Sequence, residues 1–337
     1  MGVSPTAATG DTHDLAVALG PVLRTINSNR LGDITWFRSR WQRGGAATGF
    51  STWKMSDGRV IEVFIKLPIA YVEYRWTTEL GHVEESDWDA PSALRLPVPR
   101  VVAHGMELGG YDLAWIITER LSGPALAAHV DHDAIADLIE AAAEFHATAM
   151  KVAPLDACPV NPDWDRHIAR SKAIAKEGDI PDANRWKDGL RKVLKALPLL
   201  KVRWQARPIN AWCHGDLHAG NGMRRKIGAA HDPAVLVDLA LVHPGHWLED
   251  AIYLERQHWG HVDLLYGIKP LSELARLRRA RGMPVDDHYP QLANIRRVLM
   301  ASCAPAMMER EGDKAYLHAA LEVLERFLPQ VVREFDL

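Results

Sequence analysis

The 337-residue sequence predicts an α+β protein with two lobes, a small antiparallel-sheet N-lobe and a larger, mostly helical C-lobe. The length exceeds what one compact core usually takes. Short runs of β-branched and aromatic residues fill the first third, and helical periodicity dominates after Leu121-Ser122-Gly123-Pro124. The boundaries expected from these changes are residues 1–29 for a tail and a helix, 30–121 for the N-lobe and 122–337 for the C-lobe.

The elements of the N-lobe follow from periodicity and turn signals. Apolar residues at helical spacing predict a first helix over Asp14–Ile26. Ser56-Asp57-Gly58 is a turn signal between two strands. The elements expected after the helix are strands over Ile34–Gln42, Phe50–Met55 and Val60–Lys66, a helix over Tyr71–Val83, a loop over Asp87–Pro99, and strands over Val101–His104 and Trp115–Thr118.

The C-lobe begins with a capped helix. Either Asp131 or Asp133 can cap a helix that runs to about Met150. Residues 212–238 interrupt the helical pattern and predict a loop, a short strand, a turn and another short strand. The remaining helices are expected over Ala183–Leu197, Trp247–Trp259, Leu271–Arg281, Tyr289–Ala301 and Lys314–Phe327.

Composition excludes several classes of protein. The 40 Lys and Arg against 43 Asp and Glu give a net charge of −3. The sequence therefore lacks the excess of basic residues that would indicate nucleic acid or an anionic membrane as a partner. The three cysteines lie far apart, which excludes a disulfide framework and suits a reducing cytosol. No apolar run reaches 18 residues and the N-terminus lacks a secretion signal, so we expect a cytoplasmic protein.

The strongest motif is His214-Gly215-Asp216-Leu217-His218-Ala219-Gly220-Asn221, whose spacing H-x-D-x-x-x-x-N is that of a kinase catalytic loop. In such a loop an Asp meets the acceptor hydroxyl, and an Asn five positions later binds Mg²⁺. A second carboxylate, Asp238, ends the run Val235-Leu236-Val237. Singly, each residue could be a turn residue or a strand cap, but their order and spacing together favour a phosphoryl-transfer site.

With these residues the sequence resembles the aminoglycoside phosphotransferase and choline kinase family, which has a protein-kinase-like fold. The resemblance spans roughly residues 34–260. It implies transfer of the ATP γ-phosphate, with Mg²⁺, to a hydroxyl of a small molecule that is aminoglycoside-like, a sugar or an amino alcohol. The acceptor, ATP or GTP as donor, and the oligomeric state stay open. The residues that carry the resemblance are Cys213 to Asn221, Val237-Asp238 and Gly245 to Leu254, with weaker similarity at Glu144-Phe145-His146-Ala147 and Pro97 to Val101.

The resemblance implies a role for each matching residue. Asp216 would be the catalytic base, and Asn221 and Asp238 would bind Mg²⁺. Asp250 would be a structural brace of the catalytic loop, and His214 would hold that loop rather than transfer protons.

The resemblance also implies nucleotide contacts. Lys66 ends a strand where the fold places the lysine that binds the α- and β-phosphates. Glu79 is its preferred carboxylate partner, and Glu73 is the alternative. The other expected contacts are Gly44, Gly45 and Gly49 in the loop between the first two strands, and backbone groups near Glu119 and Leu121 in the hinge.

Two functions of other classes compete with this hypothesis. A nucleotide-binding pseudokinase would serve as an interaction module, but the complete set of Lys66, Asp216, Asn221 and Asp238 favours an enzyme. A metal-dependent hydrolase would need several ligands to converge, and no HExxH pair occurs. Its candidate ligands are His214, Asp216, His218, His231, Asp232, Asp238, His243 and His246.

Overall fold

The structure, a computed structural model, describes residues 12–37, 46–155, 158–159, 161–225, 233–311 and 313–334. It divides into two compact units: unit 1 comprises the residues up to Pro124 together with Arg224–Leu241, and unit 2 comprises Ala125–Met223 and Val242–Leu337. In chain order the helices and strands are α1 (Thr12–Ile26), β1 (Thr35–Phe37), β2 (Ala47–Lys54), β3 (Val60–Leu67), α2 (Tyr71–Gly81), β4 (Val101–Gly105), β5 (Trp115–Glu119), α3 (His132–Val152), α4 (Trp164–Glu177), α5 (Ala183–Gln205), β6 (Ala211–Cys213), β7 (Gly222–Arg224), β8 (Ala234–Leu236), β9 (His243–Gly245), α6 (Leu248–Gln257), α7 (Pro270–Ala280), α8 (Tyr289–Ser302), α9 (Ala304–Glu311) and α10 (Lys314–Glu334).

Unit 1 is built on a five-stranded antiparallel sheet of order β1-β2-β3-β5-β4. Because side chains alternate along a strand, Val63, Ile65 and Leu67 face one side of the sheet. They are fully buried in a core that includes side chains of α1. Phe64 and Lys66 consequently lie on the opposite face of β3.

The sheet confirms most of the predicted strands and corrects their ends. The β2 strand begins at Ala47, three residues before the predicted start, because its pairing with β3 extends to the Ala47–Leu67 pair. The predicted turn is present, with Gly58 at a φ of +88°. The predicted first strand extended to Gln42, and its residues 38–42 lie outside the described ranges.

Unit 2 is mostly helical, as predicted. Asp131 is the cap of α3, since its carboxylate accepts a hydrogen bond from the N–H of Ala134 at 2.7 Å. The α5 helix was predicted to end at Leu197, but it continues through Pro198 to Gln205. The prediction missed α4, although Asp163 caps this helix and supplies a sequence signal for its start.

The division into units differs from the predicted one in two places. The α1 helix contributes to the core of unit 1 instead of standing apart from it. Residues 224–241, which were expected in the C-lobe, belong to unit 1, where Arg225 donates to the Val98 carbonyl at 3.0 Å and the Leu236 N–H donates to the Pro97 carbonyl at 2.8 Å. No helix in the described ranges has the length and apolar character needed to cross a membrane.

Candidate active site

The predicted catalytic loop, residues 214–221, follows β6 and is bound to α6 through one carboxylate. Asp250 accepts hydrogen bonds from the backbone N–H groups of His214 at 2.8 Å and Gly215 at 2.9 Å. Gly215 has a φ of +82°, a conformation that glycine adopts without strain. Asp250 is fully buried, and these are the contacts that the brace hypothesis requires.

A buried histidine supports the same carboxylate from the other side. The Nε2 atom of His146 lies 2.9 Å from Asp250 Oδ2, and its Nδ1 lies 3.2 Å from Nη1 of Arg278. A guanidinium can only donate, so Nδ1 is the acceptor and Nε2 carries the ring proton to Asp250. Burial lowers the pKa of His146, which favours this neutral form.

Hydrogen bonds within the loop bring Asp216 and Asn221 together. The Nδ2 of Asn221 donates to the Asp216 carbonyl at 3.0 Å and to its Oδ2 at 3.1 Å. The Nδ1 of the fully buried His214 accepts from the Asp216 N–H at 3.2 Å. His214 thereby holds the backbone of Asp216, as expected of a residue that positions the loop.

The carboxylate of Asp216 has two further polar neighbours. Tyr253 donates a hydrogen bond to Oδ1 at 2.5 Å, and the Nε2 of His218 lies 3.6 Å from Oδ2. Burial alone would raise the pKa of Asp216, but these two partners outweigh it and hold the pKa below its usual range. The sequence analysis missed Tyr253, although its position three residues after Asp250 places both on one face of α6.

In unit 1, a lysine joins two carboxylates. Lys66 Nζ lies 2.5 Å from Glu73 Oε1 and 3.3 Å from Asp238 Oδ1. Burial opposes protonation of Lys66, but the two carboxylates outweigh it and raise its pKa. The preference for Glu79 was wrong: Glu79 is partly exposed and pairs with Arg75 one turn earlier, whereas Glu73 is buried in the first turn of α2.

Asp238 has an unusual backbone conformation. Its φ is +63°, which is uncommon for a residue with a side chain, and the side chain is about half exposed, at 50%. Strained conformations of this kind concentrate at functional sites.

Three phenylalanine rings lie on the sheet beside Lys66, which the sequence analysis did not anticipate. The ring centroids of Phe37 and Phe50 are 4.6 Å apart, and those of Phe50 and Phe64 are 5.9 Å apart. Phe64 precedes Lys66 by two residues in β3, so both side chains face the same side. The guanidinium of Arg120 stacks over Phe50 at 4.1 Å. This face therefore combines a cation with partly buried aromatic rings.

Only part of the expected glycine loop lies in the described ranges. Gly44 and Gly45 lie outside the described ranges. Gly49 lies inside β2 rather than in a loop, and a Cβ there would come within 2.8 Å of Ile34 Cγ2. Close packing against this side chain is a sufficient reason for glycine at this position.

The predicted hinge contains a buried ion cluster. The carboxylate of Glu119 pairs with Arg100, at 2.6 Å, and with Arg225. The side chain of Glu119 therefore has a structural role in addition to the backbone contacts expected of the hinge. Its backbone N–H donates to the Arg100 carbonyl at 2.9 Å, and Leu121 follows the end of β5 by two residues.

The structure offers no support for the hydrolase alternative. His231 and Asp232 lie outside the described ranges, and the Nε2 of His246 is bound to Asp286 at 2.9 Å. Within the described part of the chain, one group of potential ligands has its atoms within 4.8 Å of one another, formed by Cys213, His243 and Glu249. It shares only His243 with the predicted set, and its Glu249 is already paired with a buried arginine.

The chain is similar in sequence to one known family of proteins. The model of the phosphotransferase enzyme family matches residues 83–290, more than half of the chain. No curated protein has a matching sequence.

Three solved structures have similar folds. Spectinomycin phosphotransferase APH(9)-Ia, solved with ADP and spectinomycin, has a TM-score of 0.53 at 12% identity, over 92% of this chain and 93% of that one. An aminoglycoside phosphotransferase from Alicyclobacillus acidocaldarius has a TM-score of 0.50 at 17% identity, over 89% and 92%. The GDP and kanamycin complex of APH(2")-IIia has a TM-score of 0.50 at 12% identity, over 93% and 99%. At these identities the likeness shows a shared fold, and it confirms the predicted protein-kinase-like class.

Proposed function

The chain belongs to the phosphotransferase enzyme family, and from that premise we propose that it transfers the γ-phosphate of ATP to a hydroxyl of a small molecule. One observation carries the proposal. Asp216 and Asn221 are hydrogen-bonded to each other on a loop whose backbone is bound to a fully buried Asp250. Positioning of this kind supplies most of the catalysis in phosphoryl transfer.

Asp216 is the proposed catalytic base. The acceptor oxygen forms a bond to the γ-phosphorus while the bond from that phosphorus to the ADP oxygen breaks, and Asp216 orients the hydroxyl and takes its proton. A pKa below the usual range keeps Asp216 ionised at neutral pH, so the carboxylate can accept a hydrogen bond from the hydroxyl. His214 and Asp250 act through the backbone of the loop and do not meet the substrate.

Asn221 and Asp238 fit the role of Mg²⁺ ligands. Both hydrogen bonds of the Asn221 side chain to Asp216 use Nδ2, which leaves the amide Oδ1 as its ligating atom. Asp238 presents a half-exposed carboxylate on a strained backbone. Bound Mg²⁺ would neutralise charge on the β- and γ-phosphates.

Lys66 and the aromatic rings beside it are the proposed nucleotide contacts. Glu73 fixes the Lys66 ammonium group, which can then bind phosphate oxygens as a point charge. Phe64, on the same face of β3, offers a ring on which a purine base can stack. The backbone near Glu119 and Leu121 remains the proposed contact for the edge of the base.

The decisive experiment uses γ-labelled ATP and mass spectrometry. The chain is incubated with Mg²⁺, labelled ATP and a panel of aminoglycosides, sugars, amino alcohols and a small-molecule extract, with Asp216→Asn as the blank. We expect a labelled product that is absent from the blank, while Asp216→Asn binds ATP as tightly as the wild type. A wild type that binds ATP in a Mg²⁺-dependent way but labels nothing across the panel would support the pseudokinase alternative. Equal turnover by both proteins would overturn the role of Asp216.

A further inference from the structure

A cavity lies in unit 2, and none of its lining residues belongs to the loop that carries Asp216 and Asn221. Its volume is about 330 Å³, and its wall includes residues from α3, α7 and the segment that follows α7. Ala147, Met150, Met283 and Pro284 give it an apolar side. A cavity of this size and character suits a small molecule with an apolar body.

The wall of this cavity contains a buried cation that no carboxylate neutralises. Arg278 is fully buried and donates to the carbonyls of Pro284 and Asn210, each at 3.2 Å, and to the Nδ1 of His146. All of these acceptors are neutral. Across the described ranges, no carboxylate oxygen lies within 4.0 Å of the Arg278 guanidinium.

This unneutralised charge has an energetic consequence. Burial lowers the pKa of Arg278 to about 10, so the side chain is still protonated at neutral pH. A buried charge without a counterion is costly, and an anion nearby offsets that cost. Arg278 is thus a preformed source of attraction for an anion that enters the cavity.

The other charged residues at the wall balance one another. Arg281 is paired with Glu140 and, at 3.2 Å, with Glu144, so this cluster carries a net charge of −1. Lys151, an exposed residue of the wall, carries one positive charge. Arg278 therefore leaves the cavity with an excess of one positive charge.

Arg278 also connects the cavity to the loop of Asp216. Its Nη1 binds His146 at 3.2 Å, and His146 in turn donates to Asp250, which holds the backbone N–H groups of the loop. Nδ1 of His146 accepts the hydrogen bond from Arg278. A change in the hydrogen bonding of the guanidinium therefore changes the strength of the hydrogen bond that Nε2 of His146 donates to Asp250.

We infer that this cavity binds a small organic anion, a carboxylate or phosphate monoester with an apolar body, and that Arg278 and His146 transmit its binding to the loop held by Asp250. A regulatory role for such an anion rests on the proposed function, because the coupling can regulate activity only if the loop is catalytic. Binding and coupling themselves do not depend on kinase activity.

Binding is tested by titration calorimetry of the full chain. The probes are phenyl phosphate and benzoate, which distinguish phosphate from carboxylate, with benzyl alcohol as the neutral match. We expect the anions to bind at least tenfold more tightly than the alcohol. Lys151→Gln should weaken that binding about fivefold, and Ala147→Phe, which fills the cavity, should abolish it. Lys172→Gln, an exposed charge deletion on α4, should change nothing.

Coupling is tested by ¹⁵N histidine NMR at saturating probe. The His146 resonances, assigned with His146→Asn, should shift on binding in the wild type and not in Ala147→Phe, while those of the exposed His318 stay fixed. Equal binding of anion and alcohol, binding that survives Ala147→Phe, or unshifted His146 resonances would each overturn the inference. Neither readout uses ATP. The results would therefore stand even if the chain did not transfer phosphate, so a failure of this inference can be distinguished from a failure of the proposed function.

Discussion

The hydroxyl of Tyr253 lies 2.5 Å from Oδ1 of Asp216 and donates a hydrogen bond to its carboxylate. The proposed base is therefore already hydrogen-bonded to a hydroxyl group of the protein, while Asn221 donates a hydrogen bond to the other carboxylate oxygen of Asp216. The arrangement stabilises the ionised carboxylate and sets the direction from which a second hydroxyl can approach it.

Tyr253→Phe tests this relationship. Loss of a hydrogen bond to the charged form raises the pKa of Asp216, by about one unit for a bond worth roughly 1.5 kcal/mol. A base works only when deprotonated, so the acid limb of kcat/KM should move to higher pH by about that amount. The measurement is the pH profile of phosphoryl transfer. Tyr266→Phe, which removes a hydroxyl bonded to the Val130 carbonyl, is the matched control. An unmoved acid limb in Tyr253→Phe would contradict the prediction.

The Lys66 ion pair gives a second prediction with an internal control. Glu73→Gln leaves the ammonium group without its closest partner, so we expect KM for ATP to rise about tenfold, or roughly 1.4 kcal/mol. Glu79→Gln removes the same charge from the same helix and should leave KM within about twofold, as for a surface pair. Steady-state kinetics and ADP calorimetry measure both. Equal effects of the two substitutions would show that Glu73 has no special role.

If Asp250 braces the loop, its substitution should reduce both activity and stability. In Asp250→Asn an amide NH₂ replaces one carboxylate oxygen, so a backbone N–H of the loop loses its buried acceptor. We expect the free energy of unfolding to fall by about 3 kcal/mol and kcat to fall about 100-fold. Urea denaturation and single-turnover kinetics measure the two effects. The exposed Asp263→Asn should reproduce neither, and a fully active Asp250→Asn would remove the brace from the mechanism.

Glu249 predicts how stability depends on pH. Burial alone would raise its pKa, but His243, Arg296 and Arg207 lower it to about 2 from 4.5. A lowered pKa in the folded state means that this stabilisation is complete above about pH 4.5 and is lost as the pH falls towards 2. The 2.5-unit difference corresponds to about 3 kcal/mol.

Urea denaturation between pH 2.5 and 7 tests this linkage. In Glu249→Gln the unfolding free energy should fall at neutral pH, because Arg207 keeps its charge without a carboxylate partner. Below pH 4.5 the unfolding free energy of Glu249→Gln should fall less steeply with pH than that of the wild type. The difference between the two slopes should correspond to the uptake of at most one proton on unfolding. Parallel pH curves for the two proteins would exclude Glu249 as a source of acid sensitivity.

The sequence was most informative where function depends on local spacing. The eight residues from His214 to Asn221 carry their own turn geometry, so the proposed catalytic loop and the strand pattern around it could be predicted without tertiary information. The choice between Glu73 and Glu79 could not, because both lie on α2 and only the start of the helix relative to β3 decides which one reaches Lys66.

Two other contacts between distant parts of the chain could not be predicted from the sequence. The bond between His146 and Arg278 joins positions 132 residues apart, and that between Glu119 and Arg225 joins positions 106 apart. Neither pairing has a periodic or motif signal. Tyr253 was within reach, since its helical spacing from Asp250 was visible once Asp250 had been assigned.

The assignment of residues 224–241 to unit 1 has a consequence for synthesis on the ribosome. Unit 1 is formed by two separate segments of the chain. During synthesis, Glu119 can therefore pair with Arg225 only after about a hundred further residues have been translated. The nascent unit 1 therefore cannot complete its ion cluster, or acquire Asp238, before the first segment of unit 2 has left the exit tunnel. Final closure of unit 1 must follow translation of that intervening segment, which sets an order of events during synthesis that the folded protein no longer displays.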